Sequence, residues 1–411
     1  MDQKIRNLFN KKCNLKQVSI KVSDILLFLA LTGLAMGARW ALRNVIAGDY
    51  KVFFEPWVST LREAGGGIKG LSAEFEYVDY TTPYLTILSF ISICPFLNTL
   101  LLMKCISIFF DFVAAVAVGG MVYHEKKDMT LAIASYGTLL LTPTIIANGS
   151  MWAQCDIIFT SFVMLSLLFI MKEKPSFGML FYGIAFAFKL QTLFIAPLYV
   201  ILWTKKKIRL KHFLWLPAMY VVGMLPSVFA GKNLLDLLGV YFFQADGSVD
   251  IYALSHKFPN IYQLIGTDTF LYEYADAGIW ITLAALMFVL YYFARKKYAM
   301  TNNRMIQIGM FTVMIIVYFL PHMHERYGIL VDVLSVVFAY YNPKKFYVPV
   351  LIVSSSFAGY TVYLAQNNVV PMYVYAMLWL LVMIDIGQTL FSEIQAETGQ
   401  LAIAQGKTAE K

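Results

Sequence analysis

The sequence predicts an all-α polytopic membrane protein of about twelve transmembrane helices, with amphipathic helices in its first outer loop. Three observations predict it. Of 411 residues, 59% are hydrophobic and only 14% charged, against about half and about a quarter in soluble domains. The apolar residues fall in blocks of roughly 18 to 25, the length that crosses a bilayer core. The loops between blocks alternate between a basic kind and a kind rich in acids, amides, histidines and aromatics, as the positive-inside pattern requires.

In chain order, residues 1–22 read as a basic cytoplasmic N-terminus, and no small-residue cleavage site follows to make a removable leader. Residues 23–391 form the transmembrane domain, with its clearest blocks at 26–42, 157–171, 213–230, 279–293, 306–320 and 372–386. Basic loops lie at 4–21, 125–128, 172–174, 205–211, 295–304 and 344–345. Placed in the cytoplasm, they put both termini inside and segments 44–82, 148–156, 189–191, 231–277, 321–326 and 366–368 outside. Residues 83–97 then read as a shallow or re-entrant helix, and 176–203 as two short helices meeting at 188–191; both forms suit a protein-walled cavity. Residues 58–64 read as an amphipathic helix lying on the membrane, and Gly65-Gly66-Gly67 as a turn. The tail 392–411 reads as a mobile polar cytoplasmic end. The net charge of +8 is scattered beside apolar blocks, so it points away from nucleic acid. Cys13, Cys94, Cys105 and Cys155 lack CxxC or metal-ligand spacing and read as packing residues.

Chemistry must sit on helices and outer loops, and the unusual polar residues gather there. Charges near membrane depth are costly and mark sites. Asp49 follows the first span, and Asp79 lies in the same loop. Gln154 and Asp156 open a helix, where a carboxylate is also favoured as an N-terminal cap. Lys189 and Gln191 interrupt an apolar run. His322, His324, Glu325 and Arg326 stand together between two apolar blocks. His-x-His-Glu lacks zinc-helix spacing, whereas arginine with histidine suits a phosphate. The Asn148-Gly149-Ser150 sequon lies too close to the membrane to be glycosylated.

Five strings occur in an order and spacing that resemble the GT-C-type glycosyltransferases: GDYKVFFEPW, FEYVDYTTPYL, WAQCDIIFTSFVMLSLLF, AFAFKLQTLFIAPLYV and HMHERYGILV. The likeness is nearest to the dolichyl-phosphate-glucose glucosyltransferases of N-glycan assembly and to bacterial proteins similar to the GPI-anchor mannosyltransferase. It covers residues 24–335. The resemblance implies a hexose donated from a polyprenyl-phosphate lipid to a lipid-linked or cell-surface glycan on the outer face, with inversion. It makes Asp49 the catalytic base and puts His324, Glu325 and Arg326 on the donor phosphate. It implies a bacterial plasma membrane location and no required cofactor, leaving a divalent metal open. Tyr80-Thr81-Thr82-Pro83 replaces the Tyr-Pro-Pro of the glucosyltransferases, so sugar and acceptor stay open. The alternatives are a flippase or transporter of lipid-linked sugars, and a surface-polysaccharide polymerase or ligase. A loop spanning 241–274, with Gln244, Asp246, His256 and Tyr262, is expected to close over the acceptor.

Overall fold

The computed structural model describes residues 12–15, 18–75, 77–245, 253–265 and 273–409. Asp246 lies outside them. A short antiparallel pair, β1 (Lys12–Leu15) and β2 (Val18–Lys21), leads into α1 (Val22–Ala41). There Asp24 caps the first turn by accepting the Lys21 amide at 3.0 Å. Helices α2 (Glu55–Glu63), α3 (Thr82–Ser92), α4 (Thr99–Lys126), α5 (Met129–Leu140) and α6 (Asp156–Met171) follow. Asn98 and Asp128 cap α4 and α5 through the amides of Leu101 and Leu131, satisfying donors that a helix start leaves open. Next come α7 (Pro175–Phe188), α8 (Ala196–Thr204), α9 (Trp215–Phe229), α10 (Leu234–Ala245) and α11 (Glu273–Arg295). The chain ends with α12 (Asn302–Phe319), α13 (Ile329–Tyr341), α14 (Tyr347–Ala365) and α15 (Met372–Ala409).

Among the described residues, six helical stretches are long and apolar enough to cross a membrane: Val22–Ala41, Thr99–Lys126, Leu210–Phe229, Tyr274–Arg295, Pro343–Ala365 and Met372–Gln400. A seventh is the pair Met129–Leu140 and Pro143–Met151, bent by 52°. The fold is thus that of an all-α membrane protein. Long helices lie at the periphery, where α1 and α11 expose Leu29, Leu34, Trp280 and Met287. The shorter apolar helices α6 and α13 are buried on nearly all sides, as is α12, which is the expected place for helices apolar all round. Helix α3, with 11 residues, is about 16 Å long, half a bilayer core.

The two kinds of loop segregate to opposite ends of the bundle. At one end Lys126 reaches the Tyr341 carbonyl, Asn303 pairs with Asn342, and Lys205 reaches the Lys296 carbonyl. The acid- and aromatic-rich segments meet at the other. The reading of 176–203 holds: α7 breaks at Lys189 and resumes through a 3-10 segment, Leu190–Ile195, into α8.

Three sequence expectations change. Helix α2 exists, but its apolar face (Trp57, Val58 and Leu61) is covered by Tyr80, Tyr84 and Leu88 rather than lying on lipid. The turn after it is as expected, with Gly65, Gly66 and Gly67 at φ of 106°, 64° and 53°, a region that favours glycine. The tail is an extension of α15 to Ala409; its alanine, glutamine and glutamate are strong helix formers, and Glu397 pairs with Arg304 at 2.7 Å. Finally, not every unusual polar group gathers at the acid-rich end. Asp111 and Arg39 form a buried ion pair between α4 and α1 at 2.8 Å, and Asp332 is buried on α13, accepting from Ser356 at 2.8 Å.

One face of α4 ties these helices to the loops. Lys104 gives its three ammonium protons to the carbonyls of Leu42, Arg43 and Val45 at 2.9, 3.2 and 2.7 Å. Those carbonyls follow directly on the C-terminal end of α1, where the helix dipole favours a cation. One turn on, Ser107 donates to the Gln154 carbonyl at 2.7 Å. Replacement of Lys104 by Met takes the ammonium from three part-buried carbonyls, of which Leu42 keeps the Val45 amide as donor, and is expected to cost about 2 kcal/mol, read as a lower thermal midpoint of the purified protein.

Candidate functional site

Two π-helical turns place the site. Asp49 immediately precedes the turn Tyr50–Phe54, and Asn148 belongs to the turn Ala147–Met151; such turns are rare and recur at functional sites. After the second turn, Ala153 adopts a φ of 63°, a strained conformation for a residue with a Cβ. The excursion sends the side chains of Trp152 and Gln154 to the same atom. Trp152 Nε1 and Gln154 Nε2 donate to Oδ2 of Asp49 at 2.9 and 2.7 Å. The Tyr363 hydroxyl, from the end of α14, donates to Oδ1. Asp49 is 8% exposed, so three donors hold it in a nearly dry position.

Across the Trp152 ring stand the cations. The Arg326 guanidinium lies 5.3 Å from the ring centroid. Its Nε is 3.5 Å from Oδ2 of Asp156, while Lys189 pairs with Oδ1 of the same carboxylate. Asn148 adds a hydrogen bond to Asp156 at 3.0 Å. Two cations therefore share one carboxylate that is 1% exposed. Glu325 sits 3.3 Å from Arg326. Burial, opposed by Arg326, pushes the Glu325 carboxyl up to about 7. Burial also raises the Asp79 carboxyl, with Arg326 and Lys189 acting against it; Asp79 thus shares the field of the same cations, and its carbonyl accepts from Gln244.

The histidines differ from the cations in charge and partners. Burial, then Arg326, holds the His324 imidazole well below its ordinary range, so it is neutral at pH 7 and adds no cation for a phosphate. His322 turns away, its Nδ1 2.8 Å from the Ala253 carbonyl and its amide donating to Leu254. These contacts bring in the 253–265 segment. β3 (Ser255–His256) pairs in parallel with β4 (Met323–His324), and the His256 and His324 rings stack at 4.3 Å. Tyr262 donates to the Phe319 carbonyl at 2.6 Å. The loop is strapped over the His-x-His segment.

Of the residues singled out from sequence, Asp49, Gln154, Asp156, Lys189, Glu325 and Arg326 converge, with Asp79 beside them. Gln191 lies in the 3-10 segment with its amide oxygen buried and unpartnered among the described residues. Trp152, Asn148, Tyr80, His256 and Tyr363 also belong to the site. Tyr80 donates to Gln154 at 3.2 Å, and Asn148 donates to Tyr360 at 3.2 Å. Asn148 is fully buried, so its side chain is out of reach of a modifying enzyme in the folded protein. Tyr360 and Tyr363, three apart at a helix end, were detectable as one aromatic face. Among the described residues, no three of His, Cys, Asp and Glu are placed to hold a metal ion.

Fold and site together define an all-α integral membrane protein with a buried acid–cation centre at one end of its bundle. No family model matches the chain, and no curated protein matches it either.

Proposed function

We propose that the protein is a membrane glycosyltransferase of GT-C type that moves a hexose from a polyprenyl-phosphate donor to a lipid-linked or cell-surface glycan. The acid-rich end faces outward, the basic loops face the cytoplasm, and the short helices complete about twelve crossings. A bacterial plasma membrane fits this reading. The observation that carries it is the pair of cations on Asp156, set across one indole ring from Asp49. Lys189 and Arg326 share a single carboxylate, so the trio has one net positive charge. That complements a phosphodiester, which is what a polyprenyl-phosphate sugar is.

The chemistry then divides along the ring. Asp49 takes the proton of the acceptor hydroxyl, whose oxygen forms the bond to the anomeric carbon. The bond from that carbon to the phosphate oxygen breaks, and its electron pair leaves with the polyprenyl phosphate. The phosphate gains a charge as it departs, and Arg326 and Lys189 stabilise that charge in a dry site, where fixed cations act most strongly. His324, being neutral, serves as a hydrogen-bonding partner, Asp79 and Gln191 are assigned to sugar hydroxyls, and Gln154 acts by holding Asp49.

The test is transfer from short-chain polyprenyl-phosphate hexoses by purified protein in lipid nanodiscs, run with and without chelator beside polyprenyl-diphosphate donors. Release of polyprenyl phosphate from the monophosphate donors supports the reading; use of diphosphate donors alone supports the polymerase or ligase. A flippase finds some support in Asp111, which lies 12 residues into α4, about 18 Å deep. That carboxylate is locked onto Arg39 and sealed from solvent, so it lines no path.

The Glu325 shift sets a pH dependence. This carboxyl is neutral below about 7 and becomes a second anion beside Arg326 above it. Donor affinity is expected to fall several-fold between about pH 6 and 8 as that anion competes for the guanidinium, and Glu325→Gln is expected to flatten the profile. Because the folded state raises this carboxyl, its contribution to stability is present at low pH and lost as pH climbs through about 7. Isothermal titration with a short-chain donor reads the first effect, and thermal midpoints from below 4.5 to above about 7, the ordinary and the raised value of this carboxyl, read the second.

A further inference from the structure

We propose that the stack of Tyr363 on Trp152 is the closed form of an acceptor subsite, which takes a hydroxylated ring on the Trp152 indole face and one of its hydroxyls on Oδ1 of Asp49. The role of Asp49 as base comes from the transferase reading, on which this subsite rests.

The two oxygens of Asp49 are held in unlike ways. Oδ2 accepts from Trp152 and Gln154, side chains that are 0% and 1% exposed. Neither can leave without unpacking the loop that carries both. Among the described residues, Oδ1 accepts only from Tyr363, which is 41% exposed. The exchangeable position is therefore Oδ1, and its present donor is a hydroxyl on a ring. An acceptor sugar offers the same two things, a hydroxyl and a ring.

The ring of Tyr363 lies on Trp152 with centroids 4.5 Å apart and planes 23° apart. Rotation of Tyr363 toward solvent thus uncovers an aromatic face and a carboxylate oxygen in one movement. An aromatic wall with a few fixed polar groups is how small-molecule sites orient a ring. The other neighbours stay in place: Tyr360 packs edge-on to Trp152 at 5.5 Å, and Arg326 lies 5.3 Å from it. The uncovered face is then bordered by the base and by the proposed donor cations, which is where an attacking hydroxyl has to stand. With Tyr363 in place the same contacts keep water from Asp49, so a donor bound alone is protected from hydrolysis.

Two variants separate a displaceable placeholder from a residue that merely holds Asp49. Tyr363→Phe keeps the stack and removes the competing hydroxyl, so acceptor KM is expected to fall about threefold or more with kcat little changed. Tyr363→Ala removes the cover, so transfer to water is expected to rise about tenfold relative to transfer to acceptor. A Tyr363→Phe protein with lowered kcat and unchanged acceptor KM would mark Tyr363 as a positioner and overturn the subsite. A binding measurement needs no turnover: hexyl β-D-glucoside and hexyl β-D-mannoside, with hexanol as control, are titrated against tryptophan fluorescence in nanodiscs. The glycosides are expected to change the signal of the wild type and more strongly that of Tyr363→Ala, and to leave Trp152→Phe unmoved. A Trp152-dependent signal in a protein that never consumes donor removes the transferase reading and keeps the ring subsite. Donor consumption with no Trp152-dependent signal and no shift in acceptor KM removes the subsite and keeps the transferase.

Discussion

Asp49→Asn is expected to abolish sugar transfer, by about a thousandfold or more, while donor binding changes little. The substitution is nearly isosteric, and an amide can still accept from Trp152 and Gln154 through its oxygen. It cannot take a proton from an attacking hydroxyl. The cations that would hold the donor lie beyond the indole ring and are anchored by Asp156, so their geometry does not depend on residue 49. Turnover and donor affinity measured on one preparation therefore separate in this variant. In Arg326→Met they should fall together, since that change strips the proposed phosphate partner and leaves Asp156 with one cation instead of two. An Asp49→Asn protein that turned over like the wild type would remove the base from the mechanism.

Arg39→Met is expected to lower unfolding free energy by about 3 to 5 kcal/mol, because it leaves a buried carboxylate without its counter-ion. The guanidinium is committed on all sides. It meets Oδ2 of Asp111 at 3.0 and 2.8 Å through two nitrogens, and the carbonyls of Ala35 and Leu140 at 3.1 and 2.9 Å through the third. Both side chains are essentially sealed from solvent. Removing the partner strands Asp111 and takes a donor from the Leu140 carbonyl at the end of α5. The double change Arg39→Met with Asp111→Leu should recover most of the loss, since a buried ion pair is worth little against an apolar pair of similar size. Thermal midpoints of the two single variants and the double variant in nanodiscs form the cycle that checks this, and a double variant no better than Arg39→Met would mean that packing around α1 and α4 outweighs the charge.

Much of this molecule was legible in the sequence for a definite reason. Hydropathy and loop charge are local properties, and they fixed the class of fold, the break at Lys189 and the separation of basic from acidic loops. The scattered polar residues Asp49, Gln154, Asp156, Lys189 and Arg326 stood out because each is costly where it lies, so each needed a partner. What the sequence did not carry was the pairing. Arg39 with Asp111 and Lys104 with the end of α1 join residues 72 and about 60 positions apart, and each of these residues on its own reads as one more charge beside a span. Tyr363 was missed for a related reason: a tyrosine at a helix end is ordinary at a membrane interface, and only the fold brings it to Asp49. The protonation state of the histidines was not legible, because a neutral or a charged imidazole is decided by burial and neighbours, neither of which a string of letters displays. Helix α10 and the strap at 253–265 were read simply as loop, since their apolar residues are too few to stand out beside true spans.

The polar face of α4 has a practical consequence. Lys104, Ser107 and Asp111 hold, in turn, the chain leading to Asp49, the loop carrying Gln154, and the first helix. The same three side chains that keep the bundle assembled also set the distance between the two halves of the candidate centre. Heat should therefore not dismantle this protein in stages, with an inactive but folded form along the way; loss of activity and loss of the fold should share one temperature. A thermostability screen on α4 is then also a screen for site geometry, and sequence drift along that face is constrained twice over.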